Sequence, residues 1–414
     1  MSHTSHTLGI PWRLQFFKNL NGYHPLVASF IDRNSGVTPV EISFAAGAER
    51  HLHSILQSRE QATASLPQKQ KQDYLAWSNA MDQCAIDARG ADFDTLFLHT
   101  TPLYHGTKPW IFHFESFPSL FHPFFFTGKI ADVNLRETEY FKKVKAAFES
   151  DQCRAIFTHM KSSLQIAANV FDSPKIAAKL RLVRLGIESR SQSQILPKFS
   201  RQGKIRILFT NSHHNDAGSF YIRGGHNLLK AFHRIRQENK HVELTILSSL
   251  PKNLGICFSL EEFEGVSWLR ERVSDAEMTE LYLNHHIFAL PSACLHSYSL
   301  LNAMSHGCVP IVTDALGYEE YVMPVADSVM QIKGVRDQVY RNQSGGWIAD
   351  NCIPFSDWPS DSYVDQIYQL LTKNLDLATL QAKAVRNHDF CTERYSLAAS
   401  HLDFNEMLAS LHFH

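Results

Sequence analysis

The sequence has few cysteines, no excess charge of either sign and no long apolar run. Its 7 cysteines among 414 residues are scattered without a C-x-x-C pair, which is typical of buried thiols in a reducing compartment rather than of a disulfide framework. The formal net charge of −1 gives no bulk attraction for nucleic acid. No apolar run approaches the about 18 residues of a membrane helix, and the opening MSHTSHTLGIPWR lacks the apolar core of a signal peptide. We therefore expect a cytoplasmic protein.

Metal-binding patterns are also missing. Neighbouring histidines such as His285 and His286 have no third ligand at zinc spacing. Asp92 and Asp94 form a D-x-D pair, which holds a divalent ion in single-domain, metal-dependent glycosyltransferases when it ends an apolar strand. Here the pair precedes the apolar run Thr95–His99 instead, so we interpret it as a turn. We predict no metal site and no cofactor.

The length and the apolar content bound the architecture. A chain of 414 residues with 44% hydrophobic residues is long enough for two domains of about 200 residues, each with its own core. In the second half, short apolar runs alternate with amphipathic stretches. The predicted strands are Lys204–Thr210, Val242–Leu247, Gly265–Leu269, Ile287–Leu290 and Val309–Val312, and the predicted helices are Gly224–Glu238, Val273–Leu283 and a helix through Leu300–Met304. This alternation predicts an α/β class with a doubly wound parallel sheet.

The first half is less regular. We predict strands at Leu26–Ile31, Thr95–His99, Pro109–Glu115, Cys153–Thr158 and Lys179–Leu185, and helices at Gln70–Ile86 and Ser162–Phe171. Residues 1–196 and 197–385 are the two predicted domains, joined by a linker at Pro197–Gly203. Residues 386–414 are predicted to form a C-terminal helical segment that packs back on the first domain.

The most informative stretch is Pro291–Val312, which reads PSACLHSYSLLNAMSHGCVPIV. It follows an apolar strand, crosses a polar turn, becomes helical and returns to an apolar strand. In doubly wound sheets, ligands sit beyond the carboxyl ends of the strands, where helix N-termini offer free N–H groups to anions. The turn at His296–Ser299 is therefore placed to hold a phosphate. The alternative is a strand-to-helix crossover without a ligand.

This stretch resembles the donor-binding signature of glycosyltransferase family 4, which has the GT-B fold of two Rossmann-like domains facing a cleft. The positions in register are Pro291, Ser292, Ala303, Met304, Gly307 and Pro310. Cys294 and Asn302 occupy the two positions where the family has glutamates. In the family, the first glutamate contacts the donor sugar and the second accepts hydrogen bonds from the ribose. The resemblance implies that an Asn302 amide serves the ribose, whereas Cys294 supplies no carboxylate.

The resemblance extends to the phosphate-binding segment. Arg223 and Gly224 stand where the family has a Lys-Gly pair whose lysine contacts the donor diphosphate. Arginine keeps the charge and adds a planar fork suited to phosphate oxygens. The alternative for Arg223 is a solvated surface charge. The residues that we expect to bind the donor are Arg223, Gly224, Gly225, Cys294, Ser297, Tyr298, Ser299, Asn302 and Glu320.

The candidate catalytic residues lie in the segment PWIFHFES, Pro109–Ser116. His113 and Glu115 are two residues apart on a predicted strand, so both project from one face. In related enzymes the matching strand ends in a histidine that reaches the reacting sugars. Counting along the segment favours Glu115 for that position and residue type favours His113. The alternative is a strand-end pair that faces water.

Two functions are compatible with these patterns. The resemblance implies transfer of a sugar from a nucleotide-diphosphate donor to a hydroxyl of a glycan, a lipid-linked glycan or a small molecule, with retention and without metal. The second function is that of an impaired homologue that binds a nucleotide sugar or stabilises a partner, since both signature glutamates are replaced. A transfer assay with a panel of nucleotide sugars separates them.

The basic run Lys175–Arg206, with Glu188 as its one acid, also suggests peripheral contact with anionic lipids, unless it is a solvated linker.

Overall fold

The computed structural model divides the chain into two compact units. It describes residues 6–10, 25–42, 92–99, 106–120, 136, 139–200, 203–211, 219–249, 251, 254, 258, 263–336, 340–341, 351–352 and 359–411. The first unit comprises residues 1–186, 342–351 and 397–414, and the second comprises residues 187–341 and 352–396. The predicted helix Gln70–Ile86 lies outside the described residues. The domain bounds inferred from the sequence remain predictions.

Parallel strands form a six-stranded sheet in each unit. The first sheet contains β1 His6–Ile10, β2 Val37–Glu41, β3 Thr95–His99, β4 Trp110–His113, β5 Cys153–Thr158 and β6 Leu180–Leu182, in the order β2-β1-β3-β4-β5-β6. The second contains β7 Ile205–Thr210, β8 Val242–Leu247, β9 Val266–Leu269, β10 Ile287–Leu290, β11 Val309–Thr313 and β12 Met330–Ile332, in the order β12-β11-β10-β7-β8-β9. Two short strands follow, β13 Tyr340–Arg341 and β14 Asn351–Cys352. The predicted α/β class with doubly wound parallel sheets is confirmed.

Helices connect these strands. In chain order they are α1 Pro25–Ile31, α2 Phe117–Leu120, α3 Glu139–Glu149, α4 Lys161–Phe171, α5 Pro174–Ala177, α6 Gln192–Ile195, α7 Pro197–Ser200, α8 Ser219–Ile222, α9 Gly225–Glu238, α10 Asp275–Asn284, α11 Ser297–Ser305, α12 Tyr318–Tyr321, the 3₁₀ helix Met323–Ser328, α13 Asp361–Asn374, α14 Leu377–Arg394 and α15 Leu397–Ala409. The cap of α10 is a capping box, because Ser274 and Glu277 bond each other's backbone N–H.

One strand prediction in the first half is wrong. Leu26–Ile31 was expected to be a strand, but Pro25–Ile31 is helix α1. Short apolar runs do not distinguish a strand from a buried helix, and Pro25 suits the first turn of a helix because its fixed φ is helical. Strands β1 and β2, on either side of α1, were not predicted because neither is a continuous apolar run: β1 reads HTLGI and β2 reads VTPVE.

The C-terminal helix α15 belongs to the first unit. Phe404 is fully buried, and its ring stacks on Phe30 of α1 at a centroid distance of 5.6 Å. Arg184 donates Nε–H and Nη2–H to the two carboxylate oxygens of Asp403, both at 2.6 Å. A bidentate pair of this kind adds directional specificity to the apolar packing. Helix α15 thus completes the core of a unit whose other elements lie far earlier in the chain.

Candidate functional site

The strand order of the second sheet creates a crevice at one edge. Strands β7 and β10 are neighbours, and the chain leaves them toward opposite ends of the sheet. At such a topological switch point, the connections after the two strands diverge and leave room for a ligand beyond the carboxyl ends. Thr210 ends β7 and Leu290 ends β10. The loop that begins at Pro291 is therefore at the switch point, as the sequence predicts.

Gly224 brings the start of α9 against this loop. Its φ is +74°, and a Cβ atom at this position would lie 2.0 Å from the carbonyl oxygen of Pro291. A side chain would clash with backbone there, so only glycine permits the approach. The backbone N–H of Ala293 donates to the carbonyl of Ile222 at 2.8 Å. These contacts place the predicted Arg223-Gly224 pair beside the predicted Pro291–Ser292 pair.

Arg223 is buried at this edge, with 8% of its surface exposed. Its Nη1–H donates to the carbonyl of Thr210, the last residue of β7, at 3.4 Å. The alternative of a solvated surface charge is therefore wrong. A buried guanidinium is costly unless hydrogen-bond acceptors or an anion surround it. Its position at the switch point is suited to an anionic ligand.

The loop after β10 carries a thiol and an imidazole in contact. The Cys294 Sγ atom lies 3.5 Å from Nε2 of His296. Both side chains are partly exposed, as are Tyr298 and Ser299, whereas Ser297 is fully buried. The loop is also held by β11, because the hydroxyl of Thr313, the last residue of that strand, donates to the Ser292 carbonyl at 2.6 Å. The sequence suggested Cys294 as a donor-binding residue and His296 only as part of the turn expected to hold a phosphate, and it gave no sign that the two side chains meet.

Asn302 lies on the second turn of α11 and is half-buried. Its amide nitrogen donates to the carbonyl of Tyr298, one turn earlier, at 2.8 Å. This bond leaves the amide oxygen as the group that can serve a ligand, which for a ribose hydroxyl is an acceptor. The carbonyl of Asn302 itself accepts from the Ser305 hydroxyl at 2.9 Å. The predicted ribose contact stays a prediction.

Glu320 lies on the short helix α12. Its carbonyl accepts a hydrogen bond from the Tyr395 hydroxyl at 3.0 Å. The neighbouring Glu319 pairs with Arg336. Burial alone would raise the pKa of Glu319, but the hydrogen bond and charge of Arg336 outweigh it and hold that pKa below its ordinary value. A donor contact of Glu320 stays a prediction.

The first sheet has a row of three buried histidines at its carboxyl edge. His99 ends β3, His113 ends β4 and His159 follows β5, and none is more than 3% exposed. Nδ1 of His99 is 2.9 Å from Nδ1 of His113, and Nε2 of His113 is 3.2 Å from Nδ1 of His159. One proton in each of these bonds is enough for both contacts to form between neutral rings. The row is thus a polar chain across three adjacent strand ends.

The predicted catalytic pair divides between two environments. His113 is fully buried, and its two ring nitrogens face His99 and His159. Glu115 lies beyond the end of β4, is half-buried, and accepts from the Thr158 hydroxyl through its carbonyl at 3.3 Å. Sequence analysis missed His159 altogether. The signal that would have found it is its place directly after a predicted strand, since polar residues there reach the ligand edge of a parallel sheet.

The D-x-D pair lies at the opposite end of the first sheet from the histidine row, because it precedes β3 whereas His99 ends that strand. The backbone N–H and the hydroxyl of Thr7 both donate to Asp94 Oδ2 at 2.8 Å, so this carboxylate anchors the start of β1. Within the described ranges, no group of three His, Cys, Asp or Glu side chains is arranged to hold a metal ion. The described part of the chain also has no helix long and apolar enough to span a membrane.

Residues 213–333, which include Arg223, the loop after β10 and α11, match the family model Glycosyl transferases group 1. The second unit carries a glycosyltransferase domain. The match spans Gly224, Cys294, Asn302 and Glu320, so the predicted donor-binding residues lie inside the segment that defines this glycosyltransferase. A search of curated proteins finds no match.

Solved structures share the fold of the whole glycosyltransferase. HepE from Anabaena, solved in complex with UDP and glucose, has a TM-score of 0.54 at 14% identity and covers 99% of this chain and 100% of its own. A UDP-forming trehalose-phosphate synthase from Burkholderia xenovorans has a TM-score of 0.62 at 10% identity, with 99% of each chain covered. The corresponding synthase from Burkholderia multivorans has a TM-score of 0.54 at 10% identity and covers 98% of this chain and 100% of its own. The predicted GT-B fold is confirmed.

Proposed function

We propose that this glycosyltransferase resembles family 4 in its reaction as well as in its signature, and transfers a sugar from a nucleotide diphosphate to an acceptor hydroxyl with retention and without metal. The buried Arg223 at the switch point of the second sheet carries the proposal. A guanidinium at this position offers two N–H groups to the diphosphate that leaves when the sugar is transferred. The same charge stabilises the leaving group as it becomes more negative in the transition state.

The N-terminus of α11 supports the same assignment. This helix has nine residues and begins at Ser297, directly after the loop whose first residue, Pro291, contacts Gly224. Its first backbone N–H groups and its dipole favour an anion at this end. The cap residue His296 makes no side-chain hydrogen bond to the helix backbone. A diphosphate between Arg223 and this helix end would receive charge from one side and N–H groups from the other.

UDP is the nucleotide that we propose to test first. HepE was solved with UDP-glucose and the Burkholderia xenovorans synthase is UDP-forming, although their identities of 10–14% show only a common fold. The half-buried amide oxygen of Asn302 is the group that we assign to the ribose. Neutral amides accept hydrogen bonds from hydroxyls more weakly than carboxylates do. We therefore expect nucleotide affinity that depends more on the diphosphate contact than on the ribose.

We place the acceptor on the first unit. His113 and Glu115 remain our candidates for catalysis: the half-buried Glu115 for the contact with the reacting hydroxyl, and His113 through the row of exchangeable protons that it forms with His99 and His159. Glycans, lipid-linked glycans and small molecules all present such hydroxyls. We do not extend the proposal to membrane contact, because Lys198 in the basic run is buried and Arg184 is paired with Asp403.

The test is a binding measurement on the unmodified and variant proteins. Arg223→Ala should weaken UDP binding by about 2 kcal/mol or more, which is the loss for a charge-assisted hydrogen-bonded pair and about thirtyfold in affinity. Isothermal titration calorimetry measures the change. Arg234→Ala is the matched control, because Arg234 lies on α9 and pairs with the exposed Asp365. Equal UDP affinity in Arg223→Ala and the unmodified protein would remove the arginine from the site.

A transfer assay tests the reaction itself. The protein is incubated with a panel of nucleotide sugars, with and without a chelator, and released nucleotide diphosphate is measured. Activity that survives chelation supports the metal-independent reaction, and NMR of the product's anomeric proton reports retention or inversion. Tight UDP binding without turnover on any donor would favour the nucleotide-sugar-binding homologue.

A further inference from the structure

Two reactive side chains meet at the switch point, and the proposed transfer makes no use of their contact with each other. The Cys294 thiol lies 3.5 Å from the His296 imidazole, and both are partly exposed. A thiol beside an imidazole can pass its proton to that ring and become the thiolate, which is the nucleophilic form of cysteine. Cys153, Cys308 and Cys391, in contrast, are buried.

We propose that Cys294 and His296 form a covalent modification site for soft electrophiles such as hydroperoxides. The contact distance, the partial exposure of both groups and the position of their loop at the ligand edge carry the proposal. His296 is also the residue before α11, where the positive end of the helix dipole favours a negative charge nearby. The imidazole contact and the helix dipole both favour the thiolate, and the partial exposure lets an electrophile reach it.

The chemical step with hydrogen peroxide balances within the pair and the oxidant. The thiolate sulfur attacks one peroxide oxygen, so an S–O bond forms and the O–O bond breaks. Sulfur is oxidised to the sulfenic acid and the peroxide is reduced. The leaving hydroxide takes the proton from the His296 imidazolium and departs as water. Reduction by an added thiol then restores Cys294.

Modification should close the donor site, and this consequence rests on the proposed function. Cys294 stands at the first glutamate position of the signature, where the resemblance places the donor sugar. An added oxygen or alkyl group on Sγ occupies space beside the loop that Gly224 and Thr313 hold in place. Because this loop is fixed by backbone contacts, it has little freedom to move aside. Bound donor and modified Cys294 should therefore exclude each other.

The experiment measures the alkylation rate of Cys294 in the full chain. Iodoacetamide is added near neutral pH, and labelling of each cysteine is followed by peptide mass spectrometry. We expect Cys294 to react at least about tenfold faster in the unmodified protein than in His296→Gln. His241→Gln is the control, since His241 is exposed and lies at the start of β8. Thermal unfolding of each variant confirms that it is folded.

Equal Cys294 rates in the unmodified protein and in folded His296→Gln would overturn the proposal, as would labelling of Cys308 before Cys294. Protection of Cys294 by UDP-glucose would support its place beside the donor. If UDP-glucose binds by calorimetry but gives no protection, that placement is wrong while the proposed function stands. If it does not bind, UDP-glucose is not the donor and the proposed function passes to the assay with the panel of nucleotide sugars, while the His296 dependence of the rate still decides the reactive pair.

Discussion

At the scale of single residues, three positions depart from the donor signature in different ways. Arg223 keeps the charge of the expected lysine and is buried where the diphosphate is expected. Asn302 replaces a carboxylate by an amide whose nitrogen donates to the carbonyl of Tyr298 in the same helix. Cys294 replaces a carboxylate by a thiol in contact with His296. In the proposed donor site, the positive charge expected at the diphosphate is therefore kept, while the positions proposed for the sugar and the ribose carry a thiol and an amide instead of carboxylates.

Substitution of Asn302 tests the ribose assignment. Asn302→Ala should weaken UDP binding by about 1 kcal/mol, the net contribution of one neutral hydrogen bond. Asn302→Glu should restore or strengthen it, because a carboxylate accepts more strongly from hydroxyls. Calorimetry with UDP and with free inorganic diphosphate separates the ribose from the phosphate contact. An equal loss for both ligands would show that the substitution disturbed α11 instead.

At the scale of elements, the helix α7 is held to the second unit by a buried ammonium. Lys198 donates to the carbonyls of Tyr282, His285 and His306 at 2.8–3.0 Å. These carbonyls lie at the C-terminal ends of α10 and α11, where a cation complements the helix dipoles. Burial lowers the pKa of Lys198. Pro197–Ser200, the first part of the predicted interdomain linker, is therefore packed within the second unit.

Histidines around this ammonium predict loss of stability in acid. Burial is the main reason that the pKa values of His285, His286 and His306 fall to about 4, and nearby Lys198, Arg206 and Arg190 lower them further. Between the ordinary pKa of about 6.5 and 4, the unfolded chain binds protons that the folded chain does not. The free energy of unfolding should therefore decrease as the pH falls through this window.

Urea unfolding followed by tryptophan fluorescence at a series of pH values measures this dependence. In His306→Gln, the free energy of unfolding should decrease less steeply as the pH falls, because the unfolded chain then has one fewer histidine to protonate. His241→Gln, at an exposed position, is the control and should keep the slope of the unmodified protein. A free energy of unfolding that is constant from pH 6.5 to 4 would contradict the prediction.

At the scale of the whole molecule, the chain builds two compact units that are not contiguous in sequence. The helix α15 follows the second unit in the chain but is grouped with the first. Phe404 packs against Phe30, Phe97 and Phe157 at centroid distances of 5.6–5.7 Å. The predicted donor-binding residues all lie in the other unit. Stability of the first unit and nucleotide binding should therefore respond to different substitutions.

Phe404→Ala should change the stability of the first unit without changing nucleotide binding. Loss of a fully buried phenyl ring should cost about 3–5 kcal/mol in the unfolding of the first unit. UDP affinity should remain that of the unmodified protein, because Arg223, Asn302 and the loop after β10 belong to the second unit. Calorimetric unfolding and UDP titration on the same sample measure both quantities. Leu402→Ala, at an exposed position of the same helix, is the matched control.

Much of the second unit was predictable because its signals are local. The apolar runs of β7, β8, β10 and β11 and the capping box of α10 are each contained in a few consecutive residues. The first half was less predictable. Its run Leu26–Ile31 has no periodicity that distinguishes a helix from a strand, and packing of Phe30 against α15 decided the outcome.

The sequence by itself determined the parallel α/β class, the position of the ligand loop and the residues that approach it, since strand, turn and helix patterns are written in short contiguous segments. The tertiary structure alone decided which distant side chains meet. His113 and His159 are 46 residues apart in the chain, and the backbone of Pro291 reaches Gly224 across two strands. Such contacts depend on strand order and register, which no local pattern encodes. The physical reason is that residues at the carboxyl ends of neighbouring strands become adjacent only when the sheet assembles.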